Sequence, residues 1–109
     1  MSDHPSTCVV LCTCPDEATA GDIAKQVVAE KLAACVNILP KITSVYEWKE
    51  KVCEDDEVLL IIKTTEGAID ALSKAIVATH PYELPEIIAV PIKAGLPGYL
   101  DWVSNSVNV

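Results

Sequence analysis

Hydrophobic residues along this chain follow two spacings, and each spacing predicts one type of element. Thr7 to Thr13 is a short apolar run rich in strand-forming residues, which predicts a first strand. Asp16 is a candidate helix N-cap, and from there to about Ala34 apolar residues recur with the 3.6-residue period of a helix. Those apolar positions are Ala20, Ile23, Ala24, Val27, Val28 and Leu32.

The same reasoning divides the rest of the chain. It predicts strands over Val36–Trp48, Val52–Thr64 and Glu86–Ile92, a helix over Thr65–Thr79, and a short last helix after Gly98. Pro40 interrupts the second strand and implies an edge or a bulge there. Five apolar residues of that strand share one parity and are expected on one face: Val36, Ile38, Ile42, Tyr46 and Trp48.

The predicted order, β-α-β-β-α-β with a terminal helix, is the α/β (α+β) ferredoxin-like or split βαβ plan. It implies an antiparallel four-stranded sheet with both main helices on one face. A chain of 109 residues has room for one core, so residues 1–109 are expected to form a single domain. The polar stretch over residues 1–6 is expected to be a flexible tail.

The hairpin between the second and third strands is too long for this domain. Each arm has about 13 residues and would span roughly 43 Å, whereas a first helix of about 18 residues covers only some 27 Å. The far part of the ribbon therefore extends beyond the helices. Because an isolated two-stranded ribbon is marginal in water and its edges invite pairing, we expect this arm to dock onto a neighbouring subunit.

Charge and composition exclude several classes of partner. The formal net charge is −8, and all eight basic residues are lysines. A chain that is acidic and lacks arginine is a poor candidate for binding nucleic acid or an anionic membrane. No apolar run has the ~18–20 residues of a spanning helix, and no signal peptide is visible. Five cysteines without a secretion signal indicate reduced thiols in a cytoplasmic protein.

With these elements placed, the sequence resembles the CutA divalent-cation-tolerance family over Cys8 to Val103. Five blocks carry the resemblance: KLAACVNILP (31–40), YEWK (46–49), EVLLIIKTT (57–65), HPYELPEI (80–87) and GYLDW (98–102). The resemblance implies a homotrimer of ferredoxin-like subunits, a link to divalent-metal tolerance and copper binding, and no established enzymatic activity. The family commonly has glycine in the hairpin turn at Glu50, so we expect a different turn geometry here.

Cys12 and His80 are the candidate metal ligands, because they match positions that hold copper in a bacterial member of the family. A thiolate and an imidazole suit copper, and zinc is not excluded. That member has a further histidine where this chain has Thr79, which leaves the site one ligand poorer. The alternative is structural: Cys12 packs as a small apolar residue, and His80 caps a helix C-terminus.

Two other groups of residues could bind metal. Cys8, Cys12 and Cys14 share strand parity and are expected on one face, although the C-x-C spacing has low specificity. If Met1 is removed, the chain begins Ser2-Asp3-His4, whose free amine and histidine could wrap Cu(II) in a square plane of nitrogens. The alternative for this segment is an incidental histidine in a tail.

The leading hypothesis is therefore a non-enzymatic homotrimer that takes part in divalent metal (copper) tolerance or response. A trimeric small-molecule sensing module resembling the PII signalling proteins is the first alternative, although the absence of arginine and of a glycine-rich phosphate loop weakens a nucleotide version of it. A scaffold for another protein is the second. An enzyme is disfavoured because no nucleophile motif such as G-x-S-x-G is present.

Overall fold

A computed structural model describes residues 6–108, so the Ser2-Asp3-His4 hypothesis lies outside the described residues. Its elements are β1 (Thr7–Cys14), α1 (Glu17–Ala29), β2 (Cys35–Trp48), β3 (Lys51–Thr65), a 3-10 turn (Glu66–Ala68), α2 (Ile69–Thr79), β4 (Ile88–Pro91) and α3 (Pro97–Ser106). The strands form one antiparallel sheet in the order β2-β3-β1-β4. The predicted ferredoxin-like plan is confirmed.

The two faces of the sheet differ in what covers them. Side chains along β1 alternate strictly between buried and half-buried, and the buried set includes all three cysteines of the strand. These residues face α1 and α2 and belong to the core, as their shared parity predicts. The core is completed by Val10 of β1 and by residues from β3, the helices and the loop after α1: Ala20, Ile23, Val27, Ala33, Val58, Leu60, Ile62, Leu72 and Ile76.

The other face of the sheet, here called the open face, is also apolar. In an antiparallel pair, residues directly opposite each other point to the same side. Leu11 lies opposite Ile61 and Ile88, and Leu59 lies opposite Leu39, so these side chains share the open face. Leu39 is 37% exposed and Ile88 52% exposed. Strands β1 and β3 therefore carry apolar residues on both faces of the sheet. A sheet face in contact with water usually carries polar residues instead.

Helix α1 ends five residues before the predicted position. Lys31 adopts φ 59°, the left-handed conformation that a helix-terminating residue takes. Its amide donates to the Val28 carbonyl at 3.0 Å, and the Leu32 amide donates to the Val27 carbonyl at 2.9 Å. This Schellman pattern stops the helix although no glycine marks the position, so the apolar periodicity alone overestimated its length.

A β-bulge in β2 confirms the irregularity expected at Pro40. The pairing with β3 shifts between Leu39 and Ile42, with one extra residue on β2 and Lys41 at φ 62°. Because one inserted residue reverses which side chains face which side, residues before and after the bulge change faces. Ile42 lies opposite Glu57, on the open face, whereas Val36 lies opposite the core residue Ile62. The expectation that the apolar residues of β2 share one face is therefore wrong.

The β2–β3 hairpin extends past the helical layer, as its length predicts. The molecule measures 50 Å along its longest axis and 25 and 22 Å across. The distal hairpin leaves large apolar side chains in solvent, including Val45 at 64% and Val52 at 78% exposure. Such a surface is costly for an isolated ribbon and is typical of a segment that packs against another molecule.

The hairpin turn consists of Lys49 and Glu50, between the paired residues Trp48 and Lys51. Both turn residues have positive φ, 52° and 67°. A two-residue turn with positive φ at both positions is a type I′ turn, which glycine or asparagine normally occupies. The absence of glycine therefore did not change the geometry of the turn. Instead, Glu50 adopts a backbone conformation that is unfavourable for its side chain.

Replacing Glu50 with glycine should stabilise the protein. The left-handed conformation costs a residue with a Cβ about 1–2 kcal/mol, and glycine avoids that cost at the price of a more flexible unfolded chain. We expect a net gain of about 0.5–1 kcal/mol in the free energy of unfolding, measured by guanidinium denaturation. The control is Lys51→Gly, at a paired strand position, which should destabilise. Equal effects of the two variants would contradict the turn assignment.

Candidate metal site

Cys12, Cys14 and His80 come together at one end of β1. Their ligand atoms all lie within 4.8 Å of one another, and all three residues are buried. The strand places both cysteine side chains on the helical face because they are two residues apart. His80 follows α2 directly, its amide donating to the Ile76 carbonyl at 2.8 Å, and Pro81 prevents the helix from continuing. The fold thus brings His80 close to two cysteines that precede it by 66 and 68 positions in the sequence.

The His80 ring is held by two backbone groups. Its Nε2 lies 2.8 Å from the Thr13 carbonyl, and its Nδ1 accepts the Tyr82 amide at 3.1 Å. Since a carbonyl can only accept, the hydrogen-bond pattern assigns the proton to Nε2 and leaves a neutral imidazole. The ring therefore ties the loop after α2 to β1 and does not cap the helix through its side chain. A metal at Nε2 would have to replace the hydrogen bond to Thr13.

The two thiols of the cluster affect each other. A hydrogen bond between them raises the pKa of Cys12, and burial raises it further, whereas the same bond lowers the pKa of Cys14. Cys14 is therefore the thiol that ionises more readily, and the thiolate is the form that binds metal. Two sulfur atoms and an imidazole nitrogen form a donor set that suits Cu(I) and zinc better than hard cations.

Thr79 does not compensate for the missing second histidine. Its hydroxyl donates to carbonyls of its own helix, to Ala75 at 3.2 Å and to Ile76 at 3.4 Å. The third potential ligand in the structure is Cys14. The C-x-C alternation along a strand predicts that Cys14 lies on the same face as Cys12. The family resemblance paired His80 with Cys12 only, and nothing in the sequence indicated that His80 would also approach Cys14.

Glu57 is a further polar residue near this cluster, and its burial was not expected from the sequence. It ends the acidic run that begins at Glu54, yet only 8% of its surface is exposed. Its Oε2 accepts a hydrogen bond from the Tyr82 hydroxyl at 2.5 Å. Burial and this bond to a carboxylate raise the pKa of Tyr82. A run of four acidic residues is usually solvated, and the inward turn of its last member depends on the tertiary fold.

The fold and this cluster define a class: a ferredoxin-like α/β protein with a buried thiol–imidazole cluster beside β1. No helix within residues 6–108 has the length and apolar character needed to cross a membrane. The family model of the CutA1 divalent ion tolerance protein matches residues 8–106. The chain belongs to this family.

Individual relatives agree with that assignment. The divalent-cation tolerance protein CutA of Thermus thermophilus is 53% identical over 95 residues, 87% of this chain and 92% of the relative. The CutA homolog of Xenopus laevis is also 53% identical, over 87% of this chain but 63% of its own length. The crystal structure of CutA1 from Oryza sativa superposes with a TM-score of 0.94 at 48% identity, covering 98% of both chains. The chain thus spans less than two thirds of the animal relative.

Proposed function

We propose that this protein acts in divalent metal tolerance or response as a non-enzymatic homotrimer that binds copper through Cys12 and His80, with Cys14 as a third ligand. The observation that carries the proposal is the convergence of their three ligand atoms within 4.8 Å. The family match supports the link to divalent ions. Zinc is a second candidate ion for the same donor set.

The cluster can change from a structural to a metal-binding state by local movements only. Cys12 and Cys14 would supply thiolates, and His80 would supply Nε2 after giving up its hydrogen bond to the Thr13 carbonyl. At metal–sulfur distances of about 2.3 Å, two sulfurs bound to one ion stand roughly 3.8 Å apart in tetrahedral and roughly 4.6 Å apart in linear geometry, a span that the cluster accommodates. The bound ion would tie β1 to the loop after α2.

The open face and the hairpin support the homotrimer. The open face presents apolar residues from all four strands, and the distal hairpin exposes Val45 and Val52. Apolar surface on this scale favours burial against another copy of the chain. We also propose a cytoplasmic location, supported by the five cysteines, which are all free thiols.

Metal titration of the purified protein tests the site. Under anaerobic conditions, Cu(I), Cu(II) and Zn²⁺ are titrated against a competing chelator into the parent, Cys12→Ser, Cys14→Ser and His80→Gln. We expect one ion per chain in the parent and an affinity at least roughly tenfold lower in each variant, because each removes a ligand. Cu(I) should bind most tightly to this sulfur-rich set.

Cys8→Ser is the matched control, since Cys8 is buried on the same face of β1 but outside the cluster. It should keep the parent's affinity. Circular dichroism of each variant separates loss of a ligand from loss of the fold. Equal affinities in all four variants and the parent would contradict the proposed site.

A further inference from the structure

Tyr82 joins the His80 ring to the Glu57 carboxylate. The Tyr82 amide donates to Nδ1 of His80 at 3.1 Å, and the Tyr82 hydroxyl donates to Glu57 at 2.5 Å. The Tyr82 ring also packs against the imidazole, with the two ring centroids 4.7 Å apart. Tyr82 therefore holds His80 through both its backbone and its side chain. Tyr82 with its two hydrogen bonds is here called the Tyr82 bridge.

Both ends of the Tyr82 bridge are buried within a single chain. His80 and Glu57 are each 8% exposed, and Tyr82 is half-buried. Residues 81–87, which all belong to the described part of the chain, lie between α2 and β4 and form neither a helix nor a strand. A segment outside the regular elements depends on its individual contacts for its position. The bridge is therefore what fixes the Tyr82 backbone beside the imidazole.

A neutral imidazole has one ring nitrogen that can accept, and in His80 the Tyr82 amide occupies it. The ring carries its proton on Nε2, which faces the Thr13 carbonyl, so Nδ1 is the accepting nitrogen. A metal ion needs the same lone pair that the amide uses. Binding at Nδ1 would replace the amide directly.

Binding at Nε2 has the same consequence for the bridge. The neutral ring would lose its proton at Nε2 and carry one at Nδ1 instead, because a metal-bound histidine donates its other ring N–H to an acceptor. At Nδ1 that proton would face the N–H of Tyr82, so two donors would meet. Metal at either nitrogen of His80 therefore excludes the hydrogen bond from the Tyr82 amide.

The Tyr82 amide is not free to move away by itself. Its own hydroxyl is bonded to a buried carboxylate, and its ring lies against the imidazole. Moving Tyr82 would leave Glu57 buried without its hydrogen-bond donor, which is unfavourable. Metal binding and the Tyr82 bridge therefore oppose each other.

We propose that Tyr82 and Glu57 are positioning residues that restrain His80 and so lower the metal affinity of the cluster of Cys12, Cys14 and His80. This inference rests on the proposed metal site and adds a means of regulating it. Because coupling between two equilibria is reciprocal, a bound ion in turn releases Tyr82 from Glu57, which lies in the hairpin strand β3.

The metal affinity of two variants tests the restraint. Zn²⁺ and Cu(I) are titrated separately, without oxygen and against a competing chelator, into the purified oligomer of the parent, Tyr82→Phe and Glu57→Ala. Tyr82→Phe keeps the ring but lacks the hydroxyl, and it should bind both ions roughly tenfold more tightly, since a hydrogen bond to a charged group contributes about this factor. Glu57→Ala should show a similar gain. The double variant should gain no more, because both changes remove one bond.

Two further variants are the controls. Glu57→Gln keeps an acceptor for the Tyr82 hydroxyl and should gain less affinity than Glu57→Ala. Tyr46→Phe removes a hydroxyl that donates to a different carboxylate of β3, Asp55, and it should leave the affinity unchanged. If Tyr82 and Glu57 only supported the structure around the ligands, their variants would bind metal more weakly. The sign of the change therefore distinguishes restraint from support.

Nuclear magnetic resonance reports the bridge itself. The chain has two histidines, so in a His4→Gln background His80 is the one that remains. Long-range ¹H–¹⁵N spectra of the ¹⁵N-labelled protein should show the ring proton on Nε2 before metal is added. At saturating Zn²⁺ the amide proton signal of Tyr82 should move upfield, because its hydrogen bond to the ring is lost.

An unshifted Tyr82 amide in the zinc-loaded protein would overturn the restraint and leave the metal site standing. Affinities of Tyr82→Phe and Glu57→Ala at or below that of the parent would do the same. No binding in the parent or in any variant would instead contradict the metal site, and this inference with it. Circular dichroism checks that each variant is folded, and if one of the two test variants is not, the other decides the outcome.

Discussion

Leu59→Glu should convert the proposed trimer, three chains of 11.7 kDa or about 35 kDa, into a monomer. Leu59 lies on the central strand β3, opposite Leu39 and Thr13 on the open face. A carboxylate there would be buried in the interface without a partner, at a cost of several kcal/mol per subunit. Analytical ultracentrifugation at micromolar concentration measures the change in mass.

Val77→Glu is the matched control for this experiment. Val77 is an apolar residue of α2 with 56% exposure, on the helical side of the molecule. The same substitution there should leave the oligomer intact. If Leu59→Glu does not fold, Leu39→Glu, at a 37% exposed position on the edge strand β2, tests the same face. A trimer that survives both changes would show that the open face is not the interface.

Leu60→Ala, one residue along β3, should act in a different way. Leu60 is fully buried on the helical face, so truncation leaves a cavity among the core side chains. We expect the free energy of unfolding to fall by about 2–5 kcal/mol, with the oligomeric state of the folded protein unchanged. Guanidinium unfolding is compared at one fixed protein concentration, since association adds to apparent stability.

The reference for Leu60→Ala is Val77→Ala, an apolar truncation at an exposed position, which should change stability by no more than about 0.5 kcal/mol. A loss below about 1 kcal/mol for Leu60→Ala would mean that the core does not pack tightly around this residue. Neighbouring strand residues point to opposite faces. The variants of Leu59 and Leu60 therefore distinguish the role of β3 in the proposed interface from its role in the core.

The candidate metal cluster is linked to Glu57 in the structure. The carbonyl of Thr13 contacts the His80 ring. The amide of Tyr82 donates to His80, and its hydroxyl donates to Glu57. A change in the position of the His80 ring would therefore act on Tyr82 and, through it, on Glu57.

Local sequence determined the elements and their order. The alternation along β1 predicts that Cys8, Cys12 and Cys14 share a face, and the length of the hairpin predicts an arm beyond the helices. Both are local properties, since side-chain direction in a strand has a period of two and length follows from the rise per residue. Five sequence blocks also carried the resemblance to the CutA family. That resemblance indicated Cys12 and His80 as candidate metal ligands.

Only the tertiary structure decided which of these residues meet. A single extra residue at the bulge moved Tyr46 and Trp48 to the open face, and strand periodicity cannot place such an insertion. Helix α1 ends where Lys31 adopts the left-handed backbone conformation, and the sequence has no glycine there to indicate it. Cys14 lies in the candidate metal cluster and Glu57 points inward because of partners far away in sequence, His80 and Tyr82. Contacts of that range depend on how the elements pack, so no local pattern contains them.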